Sequence, residues 1–365
     1  MEKKKVVFLL KELILDGGVE KVTANLGKAF EGFGFDVYYY VLWDDEKIVK
    51  GLYGENVIVE PRNSDNKLKK TFSALGKFKD FLVDKDIDIV ISAKETANIV
   101  AFLAALNKSK TSFILTRHVD FKGSGQKLGA LTLKMMYALY SMAKLSIVCV
   151  SNELANEVKA IPLVRRNKVS FVENAVFNQE VIEQGLEPLN DDNIQGDYIC
   201  GVGRLKHQKG FDILMRAYSI CIKAKQDIPK LVLVGDGPDH DALIKLRAEL
   251  KLEDSVVFAG YTNNPYKYMK NSKLFVLSSR FEGMPTVLVE AISLGVPIVA
   301  TDCPTGPSEL IGHIDGVNLV PVGDHQALAA EILAKLTAPH TIDKKAVEGY
   351  EFSNAARSYL KLTEE

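Results

Sequence analysis

Cysteine is scarce in this chain and has no pattern. The four cysteines among 365 residues, Cys149, Cys200, Cys221 and Cys303, show neither paired nor C-x-x-C spacing. That excludes a disulfide framework and a thiolate zinc site, and leaves them as small buried hydrophobes of a reducing compartment. An excess of either charge is also missing: 46 Lys and Arg stand against 47 Asp and Glu, a net charge of −1. No global field favours nucleic acid, and no such partner is expected. Long apolar runs are absent too. None approaches the ~20 residues of a membrane span. The start, MEKKKVVFLLKEL, has a basic front but an apolar stretch of about five residues, too short for the core of a signal peptide. Repeats and low-complexity segments are likewise missing. The expected location is the cytoplasm.

What is present is alternation. Apolar residues make up 47% of the chain, enough for ordinary cores, and the length suits two α/β domains rather than one. Short apolar runs such as VVFLL, DVYYYVLW, DIVISA, SFILTR and SIVCVS alternate with helical patterns. Among the latter are GVEKVTANLGKAFEGFG, KLKKTFSALGKFKDFLVDK and a long apolar helix from about Gln126 to Ala143. The stretch Asn178–Gly196 is polar and loop-forming, and reads as an interdomain linker. A second alternating run starts at YICGVGRL and reaches about Lys335, and the tail EGYEFSNAARSYLKL reads as one more helix. This order predicts an α/β fold with two doubly wound, mostly parallel Rossmann-like sheets. The expected domains are 1–185, joined by the tail helix 346–365, and 186–345.

The most telling stretch is SSRFEGMPTVLVEA, Ser278 to Ala291. Pro285 suits the first position of a helix, where its missing N–H costs nothing. Glu282 then lies in the loop before that helix, and Glu290 lies inside it, roughly 8 Å further on. Between the carboxylates stand the free N–H groups and positive dipole end of the helix start, around Gly283, Met284, Pro285 and Thr286, a natural anion site. A diphosphate seated there would hold one polyhydroxylated group near each carboxylate, which is the shape of a nucleotide-sugar. The flanking strands LFVLSS and PIVATD place this loop at the carboxyl end of a parallel strand, where open α/β sheets bind ligands.

Four other clusters carry chemistry. Arg204 and Lys209, among Gly201, Gly203 and Gly210, follow the strand YICGVG and could face a leaving group that gains negative charge. Gly17 and Gly18 sit between a strand and a helix, where the backbone can approach phosphate or sugar. Gly235 and Gly237 end the strand LVLV, where a ligand-facing turn and a plain turn look alike. His118, flanked by Arg117 and Asp120, ends the strand ILTR.

FEGMPTVLVEA resembles the E-x7-E signature of retaining glycosyltransferases of family 4, which have the two-domain GT-B fold. GGVEKVTANL, GVGRLKHQKGFDIL and LVLVGDGPDHDAL with VVFAGYTNN resemble three further segments of that family, in its order, so that the likeness runs from about Val6 to Leu360. The resemblance implies two domains facing a central cleft, with the tail helix packed back on the first. It implies a metal-independent reaction in which Arg204 and Lys209 take the place of a divalent cation, so that no cofactor is expected. Glu282 would attend the transferred sugar and Glu290 the ribose. Gly17, Gly18, Gly203, Gly235, Gly237, Tyr261 and Thr262 would hold the donor. His118 would stand at the reacting sugar, while Arg117 and Asp120 would hold acceptor hydroxyls. The substrates implied are a nucleotide-sugar, with UDP the expected nucleotide, and a glycan or lipid-linked glycan acceptor of bacterial polysaccharide or lipopolysaccharide assembly. CPTGPSEL after Asp302 resembles a subset acting in glycan and O-antigen assembly. The rivals are a nucleotide-sugar 2-epimerase of the same architecture and a non-catalytic sugar-nucleotide-binding protein.

Two helices bear on partners. In KLKKTFSALGKFKDFLVDK, the lysines Lys67, Lys69, Lys70, Lys77 and Lys79 surround an apolar face. That face serves either the core or an anionic membrane surface, to which the protein would attach peripherally. The helix from about Gln126 to Ala143 is either core or a groove for a lipid acceptor.

Overall fold

The structure is a computed structural model that describes residues 3–12, 18–43, 56–60, 67–106, 110–118, 129–282, 284–303, 306–314 and 317–364, with the side chains of 67–72 left aside. Gly17, Asp120 and Gly283 of the expected site, and the first turn of the expected Gln126 helix, lie outside the described residues.

The chain divides into two compact units, Met1–Ala175 with Tyr350–Glu365, and Val176–Gly349. The first holds a seven-stranded parallel sheet: β1 Lys5–Leu10, β2 Asp36–Val41, β3 Val57–Val59, β4 Ile89–Ala93, β5 Ser112–Arg117, β6 Ser146–Cys149 and β7 Val169–Phe171. Its order is β3-β2-β1-β4-β5-β6-β7. The helices between are α1 Gly18–Gly32, α2 Lys67–Asp84, α3 Glu95–Ala105, α4 Ala130–Met142 and α5 Asn152–Lys159.

Central strands are buried on both faces and so read as unbroken apolar runs rather than as alternation. Within β1 the two-residue period still sorts the side chains. Val7 and Leu9 join Phe78 of α2 and Tyr137 of α4 in one core, whereas Val6, Phe8 and Leu10 join Leu26 and Phe30 of α1 in the other. That second core also takes Phe352, Ala355, Ala356 and Tyr359 of the tail helix, so the tail closes the α1 face. Glu351 caps the tail helix by accepting from the N–H groups of Ser353 and Asn354.

The second unit adds α6 Gln179–Gly185, β8 Tyr198–Val202, α7 Phe211–Ala224, β9 Lys230–Val234, α8 His240–Glu249, β10 Val256–Gly260, α9 Tyr266–Lys270 and β11 Leu274–Leu277. It continues with α10 Thr286–Ser293, β12 Ile298–Thr301, α11 Pro307–Ile311, β13 Leu319–Val320 and α12 His325–Thr337; the tail helix is α13 Phe352–Lys361. Its six parallel strands run β10-β9-β8-β11-β12-β13.

The expected linker Asn178–Gly196 needs correction. Asn178 caps α6, its Oδ1 accepting from Val181 N at 3.2 Å. The helix is docked within the second unit: a Cβ on Gly185 would meet Leu294 at 2.6 Å, and Asn264 donates to the Gln184 carbonyl at 2.9 Å. Only Val181 and Gly185 of the helix are buried, so its apolar face is too narrow to register as a periodic pattern. The units part instead at residues 175 and 176.

The apolar face of α2 serves the core. Ala74, Phe78 and Leu82 are buried, with Leu75 and Phe81 packed against them. Lys77 pairs with Glu60 at 2.5 Å.

Candidate active site

Strand order reverses between β8 and β11 in the second sheet, which makes the carboxyl ends of those strands its switch point and its expected ligand site. The loop after β8 carries Gly203, the exposed Arg204 and a single 3-10 turn over His207–Lys209; the loop after β11 carries Ser278 to Glu282. Hydrogen bonds to backbone carbonyls clamp the two loops together. Arg280 N donates to the Gln208 carbonyl at 2.8 Å, Ser278 Oγ to the Lys209 carbonyl at 2.9 Å, and Gln208 Nε2 to the Phe281 carbonyl at 2.9 Å. Gly210, in the left-handed region at φ 63°, lets this approach occur: a Cβ there would stand 2.1 Å from the Ser278 carbonyl oxygen.

Side chains complete the clamp. The Arg280 guanidinium grips Asp212 with two bonds, of 2.8 and 2.7 Å, and donates to the His207 carbonyl at 2.8 Å. Burial works against the Asp212 carboxylate, yet the hydrogen bonds and charge of Arg280 outweigh it and hold the group below the usual carboxylate range. At the centre, Lys209 Nζ lies 2.8 Å from Glu282 Oε1, and the same oxygen accepts from Ser279 Oγ at 2.6 Å. Only 16% of the lysine side chain and 7% of the glutamate remain exposed. Burial, and then the neighbouring Lys209, lower the pKa of Lys206.

The other donor residues divide by role. Gly235 and Gly237 are required by packing between loops, whereas a Cβ on Gly203 would meet the Lys209 side chain of its own loop at 3.2 Å. A Cβ on Gly235 would meet the Gly203 carbonyl oxygen at 2.1 Å, and one on Gly237 the Leu205 carbonyl oxygen at 2.4 Å. Leu205 N donates to the Asp236 carbonyl at 2.9 Å, which joins the same two loops. Pro285 stands one residue ahead of its expected place: it is the N-cap, at φ −79° and ψ 84°, and α10 begins at Thr286. Met284 and Thr286 are half-buried, while Glu290 is buried inside α10, not solvated on its surface. Tyr261 is exposed just beyond β10, and the Thr262 hydroxyl accepts from Asn264 N at 3.1 Å.

The first sheet reverses between β1 and β4, and a charged pair spans that switch point as well. Gly18 opens α1 and is exposed. In the same first turn the buried Glu20 carboxylate takes a hydrogen bond from Lys94 Nζ, just past β4. Lys94 adopts φ 72°, a left-handed conformation uncommon for a side chain of this size. Beyond β5, His118 Nε2 lies 2.9 Å from Thr116 Oγ1, whose own proton goes to the Ser92 carbonyl at 2.8 Å. The ring is therefore the donor in that contact, and its Nδ1 is left as an acceptor. Burial first, then the charges of Lys94 and Arg117, push the His118 pKa down to about 4.

Arg117 does not face the site. It is 1% exposed, and bonds Glu95 at 2.5 Å and the Tyr137 hydroxyl at 3.3 Å, with its guanidinium 5.0 Å from the Tyr137 ring centre. It braces β5, α3 and α4 from within, so an acceptor hydroxyl cannot reach it. Burial raises the Glu95 carboxyl against the pull of Arg117. Reasoning from sequence missed Glu20, Lys94, Gln208, Asp212, Ser279 and Arg280. Glu20, Gln208, Asp212, Ser279 and Arg280 stood in segments already noted, but not as site residues; Lys94 had no signal beyond its place at a strand end.

Two Rossmann-like domains, each with its polar cluster at the switch point, define the GT-B class of fold. A glycosyltransferase from Rickettsia africae has this fold, at TM-score 0.80 and 18% identity over 100% of this chain and 98% of that one. So does HepE of Anabaena in complex with UDP-glucose, at TM-score 0.70 and 18% identity over 98% and 97%. The chain matches Glycosyltransferase Family 4 over residues 16–177 and Glycosyl transferases group 1 over residues 190–349. It is 30% identical to a Campylobacter jejuni protein, N-acetylgalactosamine-N,N'-diacetylbacillosaminyl-diphospho-undecaprenol 4-alpha-N-acetylgalactosaminyltransferase, over 72% of this chain and 70% of that protein. A glycosyltransferase of Methanocaldococcus jannaschii is also 30% identical, over 67% of this chain and 62% of its own length. This chain belongs to glycosyltransferase family 4.

Proposed function

We propose that the protein transfers a hexose or N-acetylhexosamine, with retention and without a metal, from a UDP-sugar to a saccharide or lipid-linked saccharide in bacterial polysaccharide, lipopolysaccharide or glycan assembly. The observation that carries the reading is the Lys209–Glu282 pair across the second switch point, with Arg204 exposed on the same loop. A departing nucleoside diphosphate gains negative charge as the glycosidic bond breaks. Lys209 and Arg204 would meet that charge in a setting already fixed before the donor arrives. Glu282 holds the lysine in place and would turn its remaining acceptor capacity to the hydroxyls of the transferred sugar. Glu290 would take the ribose hydroxyls. The sequence singles out no carboxylate as a covalent nucleophile, so front-side attack assisted by the leaving phosphate fits better. The UDP preference draws on HepE, and the acceptor class on the name of the Campylobacter jejuni relative.

The test is a thermal-shift screen against UDP-, GDP- and ADP-sugars, followed by NMR of the product formed with the best donor. Stabilisation by a UDP-sugar, and a product with the donor's anomeric configuration, support the reading. A free C2-epimer of the donor would assign the protein to epimerisation instead.

A further inference from the structure

We propose that the outward face of α4 is a docking surface for an anionic lipid bilayer. The helix has two apolar faces. Leu133, Tyr137 and Tyr140 are buried in the core, which is what a surface helix needs. On the other side Leu131, Met135, Leu139 and Met142 are between 54% and 74% exposed. At 3.6 residues per turn these four fall within a sector of about 80°, opposite the buried three. Scattered apolar side chains on a surface need no explanation, but four in one stripe along the length of a helix do.

The surroundings name the occupant. No aspartate or glutamate occurs from residue 121 to 152 or from 158 to 172, while Lys134, Lys144, Arg165 and Arg166 fall within those stretches. The turn bearing the two arginines is tied to the carboxyl end of α4, where Ser141 Oγ accepts from Arg165 N at 3.0 Å. At the tip of that turn Leu163 is 85% exposed and held at φ 70°. An apolar stripe flanked along the chain by cations and not by acidic residues complements lipid tails below and anionic headgroups around them. A protein partner would call for some charge of the opposite sign at its rim, and the local sequence supplies none. With 13 residues, α4 is about 20 Å long, too short to cross a bilayer and suited to lying in its surface. In α2, by contrast, Ala74, Phe78 and Leu82 are turned into the core.

The proposal deepens the lipid-linked acceptor part of the proposed function, since it would hold the enzyme where such an acceptor lies. The experiment is flotation of the full-length protein with vesicles of phosphatidylcholine alone, or of an equal mixture of phosphatidylcholine and phosphatidylglycerol. Binding is expected to the anionic vesicles and to fall with added salt. Leu139→Glu should weaken it roughly tenfold or more, through lost apolar burial and added repulsion. Arg166→Gln, which leaves the apolar stripe intact, should weaken it roughly fivefold, the worth of one charge near an anionic surface. Both variants should unfold at the wild-type temperature and keep the wild-type response to a UDP-sugar, so a failure of the transferase reading would appear in that response and not in flotation. Equal binding to both vesicle types, no binding to either, or unchanged binding by Leu139→Glu would overturn the proposal. So would lipid-independent dimerisation abolished by Leu139→Glu, which would assign the face to a second copy of the chain.

Discussion

Lys209 and Glu282 are 73 residues apart in sequence and meet at 2.8 Å across the switch point of the second sheet. Glu20 and Lys94 are 74 apart and do the same across the first. The charges are exchanged: the first sheet puts its carboxylate after the earlier strand, β1, and its cation after β4, while the second puts its cation after β8 and its carboxylate after β11. Parallel sheets of this winding bring the same two loops together each time, because the chain leaves the centre in one direction and returns to it in the other.

Lys209→Ala should lower kcat by on the order of 10²-fold or more, because it removes a cation from charge that grows in the transition state. It also takes from Glu282, only 7% exposed, the cation that lies 2.8 Å away. The double variant Lys209→Ala, Glu282→Gln should therefore be more stable than Lys209→Ala alone in denaturant titration. A double variant less stable than either single one would mean that the pair does not hold the loop.

Arg280, two residues before Glu282 in the same loop, bonds Asp212 and the His207 carbonyl, so it is a positioning residue. Arg280→Lys loses the two-pronged grip on Asp212 and should lower kcat roughly tenfold while donor affinity changes little. The Asp212 carboxyl is depressed in the fold, so its contribution is complete at neutral pH and is lost as acid takes the protein down through the carboxylate range. In Arg280→Lys that acid-dependent loss should be smaller, as followed by thermal unfolding against pH.

His118 should stay neutral through the working range. Its folded pKa of about 4 lies below the unfolded value of about 6.5, so the neutral ring adds stability at higher pH. That stability declines as pH falls from about 6.5 through 4. Nitrogen-edited NMR should find the Nε2–H tautomer and no titration between pH 6 and 8. A midpoint near 6.5 would contradict the lowering by desolvation and by the charges of Lys94 and Arg117. His118→Ala should reduce turnover more than donor affinity, because its loop belongs to the first unit and the proposed nucleotide motifs belong to the second.

Gly210→Ala and Gly260→Ala form a matched pair. Both positions are left-handed, at φ 63° and 73°, so each pays the roughly 1–2 kcal/mol of that conformation. A Cβ at residue 260 meets nothing within 4 Å, whereas one at 210 strikes backbone at 2.1 Å. Gly210→Ala should therefore cost about 1–3 kcal/mol more in denaturant titration, and activity should fall with it as the two loops separate.

Glu290→Gln should weaken UDP-sugar binding roughly tenfold or more, the loss of charge-assisted bonds to ribose worth about 1.5–3 kcal/mol. Isothermal titration decides it. Affinity within twofold of wild type would remove Glu290 from the nucleotide.

The two parallel sheets were legible from the first reading because buried parallel strands must be apolar on both sides, and runs such as VVFLL and LVLV advertise it. The E-x7-E stretch stood out because its helix start between two carboxylates follows an apolar strand, at the edge where open α/β sheets bind ligands. The short helix α6 did not stand out, since two buried positions in seven make no periodic signal. Arg117 misled for the opposite reason: its place at a strand end suits a site, and only burial against Glu95 and Tyr137 tells a brace from a ligand. On α4 the apolar residues are evident in sequence, but not which of them face out, because the helix is apolar nearly all round and periodicity cannot divide it.

Sequence alone settled the fold class and the family, since periodic burial and local motifs are properties of neighbouring residues. Only the tertiary structure decided which distant residues form pairs: Lys209 with Glu282, Arg280 with Asp212, Glu20 with Lys94, and the outward stripe of α4. Those relations depend on strand order, which brings loops some seventy residues apart to one edge of a sheet, and no local pattern in the chain records that order.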